Sequence, residues 1–271
     1  MKSVGALIPI RLDSTRLPHK ALLDIEGIPA VQRLITQIIS CDLISREQIV
    51  ICTTERSEDD ALVPVAAALG VRVFRGNTND LIDRFYRAAL QNQFDVVLQV
   101  DGDDICAAPY YMAKCLESVL QTDAEVASCC EGLPLGAASK AFRFECLEAI
   151  YKSYVPGTND TGFGYYLTKS GMFNLTAVPL LNSQHLMPEL RLTLDYPEDL
   201  ELFRAIFQHL RGQADRAVQL EEICALVVSQ PELKRMNANL DQGYWDRTRE
   251  IMARHPLKLR VGNKTVVLNI E

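Results

Sequence analysis

Three short polar segments hold the residues whose types suit chemistry on phosphates. Arg11-Leu12-Asp13-Ser14-Thr15-Arg16-Leu17-Pro18-His19-Lys20 sets three cations, Arg11, Arg16 and Lys20, among small hydroxyl residues. A loop that wraps a polyanion brings cations so spaced to one point, arginine offering bidentate geometry and lysine a point charge. The same charges also suit a solvated basic loop. The second segment is Asp101-Gly102-Asp103-Asp104. Carboxylates this close repel one another unless a cation or a helix end compensates, so a hard divalent ion such as Mg²⁺ fits here, and so does an Asp-rich turn. In the third, Leu194-Asp195-Tyr196-Pro197-Glu198-Asp199, Glu198 and Asp199 read as first-turn residues favoured by the helix dipole. Asp195 precedes that helix as an N-cap or a metal ligand.

The elements that must position these segments alternate short β-rich runs with amphipathic stretches, the pattern of an α/β fold with a mostly parallel sheet and helices on both faces. Strands are expected at Val4 to Ile10, Gln48 to Thr53, Val71 to Arg75, Asp95 to Val100, Ala124 to Cys129, Lys140 to Phe144, Phe173 to Val178 and Arg191 to Leu194. Helices are expected between them, one opening at Pro29 with Val31, Leu34, Ile35, Ile38 and Ile39 on a single face. Asn159 to Gly171 reads as a loop, and Leu257 to Val261 with Lys264 to Ile270 as a hairpin turned at Gly262-Asn263. The first two polar segments each follow a strand directly. Ligands of open α/β sheets bind outside the carboxyl ends of the strands, so position favours a phosphate cradle.

Composition narrows the field. A chain of 271 residues with 48% hydrophobic and 23% charged residues is an ordinary globular protein, not a disordered, collagen-like or disulfide-stapled one. The net charge of -7 argues against a surface that is one large nucleic-acid footprint, yet leaves room for a local basic pocket. Eight cysteines without a C-x-x-C read as buried free thiols of a cytoplasmic protein. No stretch approaches the ~20 apolar residues of a membrane span. The four histidines show no metal-ligand spacing, and only His19 suggests a phosphate contact. Tyr244 and Trp245 read as packing anchors of a tail helix.

With these residues assembled, the chain resembles the sugar cytidylyltransferases: 3-deoxy-manno-octulosonate cytidylyltransferase, acylneuraminate cytidylyltransferase and the spore-coat polysaccharide protein F group. Their nucleotide loop typically reads R-x-x-S-T/K-R-L-P-x-K, matched by Arg11 to Lys20. Further matches follow in order at Phe74-Arg75-Gly76, Leu81 to Tyr86, Gly102-Asp103, Phe142 to Leu147 and Leu192 to Leu200. The resemblance runs from about Ser3 to Leu210 and implies a Rossmann-like nucleotide-diphospho-sugar transferase domain over 1–215; it leaves unassigned the rest, 216–271, which the residues themselves suggest is a helical tail and hairpin packed on that domain. It further implies attack of a sugar oxygen on the α-phosphorus of CTP with loss of pyrophosphate. Arg11, Arg16 and Lys20 then hold the triphosphate, Ser14 adds a hydroxyl or backbone N–H, and Asp103 and Asp195 bind Mg²⁺. Arg11, Lys20 and Asp103 are the catalytic candidates; Pro9, Thr53 and Asp101 join the nucleotide-binding set.

The departures are as informative. Asp101 stands where these relatives usually have Thr or Gln, and Ala138 and Lys140 where the spore-coat group usually has acidic residues. Lys140 is therefore a candidate partner for an anionic group on the sugar, with a solvated edge-strand lysine as the plainer reading. The run Asn159 to Tyr166 lacks the usual His-Val-Thr, which suggests a different acceptor or dimer contact. The leading expectation is an Mg²⁺-dependent, homodimeric cytidylyltransferase that activates an acidic sugar for surface-polysaccharide synthesis. Rival readings are a guanylyl- or uridylyltransferase on a sugar 1-phosphate, a glycosyltransferase using Asp101-Gly102-Asp103 as its D-x-D, and a non-catalytic binding protein.

Overall fold

The computed structural model describes residues 2–157, 162–210 and 216–270. Buried apolar runs form β1 (Val4–Pro9), β4 (Ile49–Thr54) and β6 (Val96–Gln99), while β2 (Asp24–Ile25) and β3 (Ile28–Pro29) make a small hairpin. With β5 (Arg72–Gly76), β7 (Val126–Cys129), β8 (Lys140–Arg143) and β9 (Leu175–Val178), they build a seven-stranded sheet in the order β5-β4-β1-β6-β8-β7-β9. β8 runs antiparallel to both its neighbours, and the other pairings are parallel. The direction of the strand order reverses between β1 and β6, the switch point at which such sheets hold ligands.

Side-chain alternation divides the sheet into two faces. Ala6, Ile8, Ile51, Leu98 and Ala141 join one core with α1 (Ala30–Ile39), α2 (Leu62–Leu69), α4 (Pro109–Gln121), α7 (Pro197–His209), α8 (Leu220–Ser229) and α9 (Pro231–Arg235). Leu7, Val50, Cys52, Val97 and Phe142 join the other, with α3 (Leu81–Gln91), α5 (Phe144–Ser153) and α6 (Phe163–Thr168). The tail divides between the faces, α8 and α9 on the first and the rest on the second. α10 (Leu240–Arg254) contributes Met252, and the hairpin β10 (Lys258–Val261) with β11 (Lys264–Val267) contributes Leu259. Tail and sheet thus share a core, while the expected boundary at 215 lies outside the described residues.

Two expectations change. Arg191 to Leu194 is not a strand of the sheet, because its amides bond elsewhere: Leu192 N donates to Leu135 O (2.7 Å) and Leu194 N to Asp103 O (3.0 Å). The segment crosses the carboxyl ends of the strands and so delivers Asp195 beside Asp103. The loop expected over Asn159 to Gly171 contains α6, whose Phe163, Tyr166 and Leu167 are buried; Asn159 to Thr161 lie outside the described residues. Among the described residues the eight cysteines are free thiols, six of them buried.

Candidate active site

A cavity of about 870 Å³ opens over the carboxyl ends of β1 and β6 and the amino end of the antiparallel β8, on the second face. Its floor follows from register: Leu7 of β1 lies against Gln99 of β6, and Gln99 against Lys140 of β8, so Pro9, Gln99 and Lys140 end neighbouring strands on one side. The phosphate-loop segment forms a wall. Leu12 and Leu17 are buried anchors within this polar run, Leu12 N donates to Asp59 Oδ1 (2.8 Å), and His19 N returns to Leu12 O (3.4 Å). Gly102 lets the next loop close in, since a Cβ there would stand 2.4 Å from Pro9 O.

Between these loops lies a compact charge network. Lys20 Nζ donates to Asp103 Oδ2 (2.6 Å) and to Asp195 Oδ1 (3.0 Å), and Arg16 donates to the same Asp195 oxygen (2.8 Å). Arg191, fully buried, donates to Asp195 Oδ2 (2.9 Å) and Asp199 Oδ1 (3.0 Å). Asp199 in turn accepts from the backbone amides of Asp195 (2.9 Å) and Tyr196 (3.0 Å), so Asp199 closes the start of α7 and leaves Asp195 free of capping. Burial works against the charge on Lys20, but Asp103 and Asp195 overcome it and raise its pKa. Burial likewise opposes ionisation of Asp195, and Lys20 and Arg16 outweigh it, holding this carboxyl below its usual range. Asp103 and Asp104 go the other way: burial, then crowding by other aspartates, raises both.

Every residue the sequence nominated lines this cavity except Thr53, His19 and Asp104. Thr53 follows Ile49 and Ile51 onto the opposite face of β4, where it is fully buried and its Oγ1 has no partner among the described residues. A strand end alone does not bring a side chain to the site; parity decides. His19 turns the loop in the left-handed region (φ 54°). Arg11 lines the cavity beside Asp13, whose carboxylate also meets Arg56. Asp101 accepts from Gln99 Nε2 (3.0 Å), whereas Asp103 accepts from Lys20, so the two aspartates of the D-x-D string serve different partners.

Residues that sequence reasoning missed complete the walls. Arg191 organises Asp195, and nothing in the isolated string marked it. Arg84 and Leu81, inside the quoted Leu81 to Tyr86 match, border the cavity from α3. Tyr244, Trp245, Arg247, Thr248 and Ile251 line it from α10, so the residues read as packing anchors face open space. Lys140 ends next to α6, where a Cβ on Gly164 would sit 3.1 Å from its Cε; its ammonium has no hydrogen bond or ion pair among the described residues.

A sequence model of the cytidylyltransferase family matches residues 5–211, most of the chain and both aspartate loops. The chain belongs to the cytidylyltransferase family. Among similar proteins, an uncharacterized protein of Methanocaldococcus jannaschii is 28% identical over 244 residues, covering 89% of this chain and 97% of the relative. The spore coat polysaccharide biosynthesis protein SpsF of Bacillus subtilis is 23% identical, covering 86% and 97%. A 3-deoxy-manno-octulosonate cytidylyltransferase of Trichlorobacter lovleyi is 27% identical and covers 62% of each chain. A solved cytidylyltransferase structure from Leptospira borgpetersenii superposes with a TM-score of 0.75 at 22% identity over 86% of this chain, which shows the shared fold. The family match ends before α8, so α10 adds its wall to the cytidylyltransferase cavity from outside the matched region.

Proposed function

We propose that this cytidylyltransferase joins an acidic sugar to the cytidylyl group of CTP, releasing pyrophosphate, in the synthesis of a surface polysaccharide. The observation that carries the acidic-sugar reading is Lys140, an ammonium on the cavity floor with no partner among the described residues. The loop cations Arg16 and Lys20 already face carboxylates; among the described residues Lys140 faces none and is available to a ligand. The family match and the octulosonate relative support CTP as the donor.

In the displacement a sugar hydroxyl oxygen bonds to the α-phosphorus as the bond from that phosphorus to the oxygen bridging to the β-phosphorus breaks; pyrophosphate leaves, and the hydroxyl proton passes to solvent or to the departing pyrophosphate. The protein's task is to position the reactants and to neutralise charge on the equatorial and leaving oxygens. Arg11, Arg16 and Lys20 suit the triphosphate, with Ser14 beside them. Asp103 and Asp195 suit Mg²⁺. Both carboxylates converge on one ammonium, so they already share a cation position, and Mg²⁺ asks for only one or two carboxylates when phosphates and water complete its shell. When bound there it supplies electrostatic stabilisation of phosphate oxygens. Lys20 and Arg16 would then be free to turn from carboxylate to phosphate, while Asp103 and Asp195 would hold the metal.

A homodimer and a cytoplasmic location belong to the same reading; no helix among the described residues is long and apolar enough to cross a membrane, and light scattering tests the dimer. The deciding experiment measures pyrophosphate release from the four nucleoside triphosphates with Mg²⁺, each offered ulosonic acids and hexose 1-phosphates. Turnover of CTP with a sugar acid is the expected result. Turnover confined to sugar 1-phosphates would overturn the acid reading, and release of a nucleoside diphosphate from a sugar nucleotide would revive the glycosyltransferase.

A further inference from the structure

We infer that α10 is the acceptor-sugar wall of the site, with Trp245 stacking on the sugar ring and Arg247 pairing with an anionic group of the acceptor. The inference rests on the nucleotidyltransferase reading above and adds the residues that select its second substrate.

The position of α10 is unusual for a helix of its length. Of its fifteen residues only Met252 is buried, while Tyr244, Trp245, Thr248 and Ile251, spaced as one helical face, border the cavity. The helix is nonetheless fixed to the reaction centre. The Arg191 guanidinium that holds Asp195 lies 4.7 Å from the centre of the Tyr244 ring and 3.6 Å from Asp241. The Tyr244 phenol is so close to the carboxylate cluster that burial, then Asp103 and Asp195, raise its pKa. Next to it Trp245, set edge-on to Tyr244 at 5.2 Å, remains 39% exposed.

The charge of the wall identifies its occupant. Arg247 has no ion pair or hydrogen bond among the described residues, and neither has Lys140 on the floor. Arg16 and Lys20, in contrast, are matched by Asp103 and Asp195. An anion-bearing sugar supplies what the unmatched side lacks: negative charge for the two cations and a ring face for the indole. Placement agrees, because the phosphate loop and both aspartates fall within the residues matched by the family, whereas α10 lies beyond them.

Trp245 is the only tryptophan of the chain, so its emission reports on this wall alone. The probe is the acceptor turned over in the pyrophosphate screen, beginning with 3-deoxy-manno-octulosonate and an acylneuraminate. Titrating it into the full chain is expected to change the emission saturably, and Arg247→Ala, an exposed position, to weaken that Kd by about tenfold or more. Trp245→Ala and Arg247→Ala should each raise the acceptor KM by about tenfold while the CTP KM stays within about twofold. Turnover without any change in emission, or an unchanged acceptor KM in both variants, overturns the inference. If the screen finds a sugar 1-phosphate instead, the same changes uphold this wall while the acid reading falls; if no acceptor is turned over, both fall.

Discussion

On the wall built by the phosphate loop, Arg16 and Lys20 both end on Asp195, and Lys20 on Asp103 as well; on the floor and the α10 wall, Lys140 and Arg247 meet no carboxylate among the described residues. The two sides of one cavity thus handle positive charge differently. Matched charges hold a site in shape without ligand and, on the function proposed above, would exchange partners on binding a metal–triphosphate. Unmatched charges contribute little to the fold and are available for recognition. Substitutions on the first side should therefore disturb stability or rate, and those on the second side substrate affinity.

The largest effect is expected at the centre of the matched side. Arg191→Met leaves the buried carboxylate of Asp199 without its cation and Asp195 with only Arg16 and Lys20, and should cost about 3–5 kcal/mol in urea unfolding. A loss below about 1 kcal/mol would mean that these charges are not the keystone of the loop crossing. Next comes Lys20→Ala, whose ammonium keeps partial exposure; stability should fall less, while kcat falls about 10²–10³-fold. An unchanged kcat would leave Lys20 a structural counter-ion only. The smallest change belongs to the unmatched side. Lys140→Ala should raise the sugar-acid KM about tenfold to a hundredfold with kcat within about twofold, and an unchanged KM would make it a solvated lysine after all.

Much of this architecture is legible without coordinates. The apolar runs of β1, β4 and β6 and the i, i+3, i+4 pattern of α1 are local signals. The phosphate loop is marked by Arg11, Arg16 and Lys20, and the hairpin of the tail by Gly262-Asn263. Thr53 shows where such reading stops. Its strand was expected to end there, and the strand runs to Thr54; only the assignment of core partners to each face showed that Thr53 points away from the cavity. The segment Arg191 to Leu194 fails for a related reason, since an apolar, extended string looks the same whether its amides pair in a sheet or reach to Leu135 and Asp103.

The sequence by itself determined the types of group present and their local spacing: a cationic loop after one strand, carboxylates after another, a third polar group before a helix, and a tail with aromatic and basic residues. These depend on periodicity and on neighbours a few positions apart. Only the tertiary structure decided which groups meet. Lys20 is separated from Asp195 by 175 positions, and Arg16 from Tyr196 by 180. The wall formed by Tyr244 and Trp245 exists because the chain returns across the second face of the sheet to close a cavity opened by β1. Contacts of that kind are set by packing the whole core, and no window of sequence contains them.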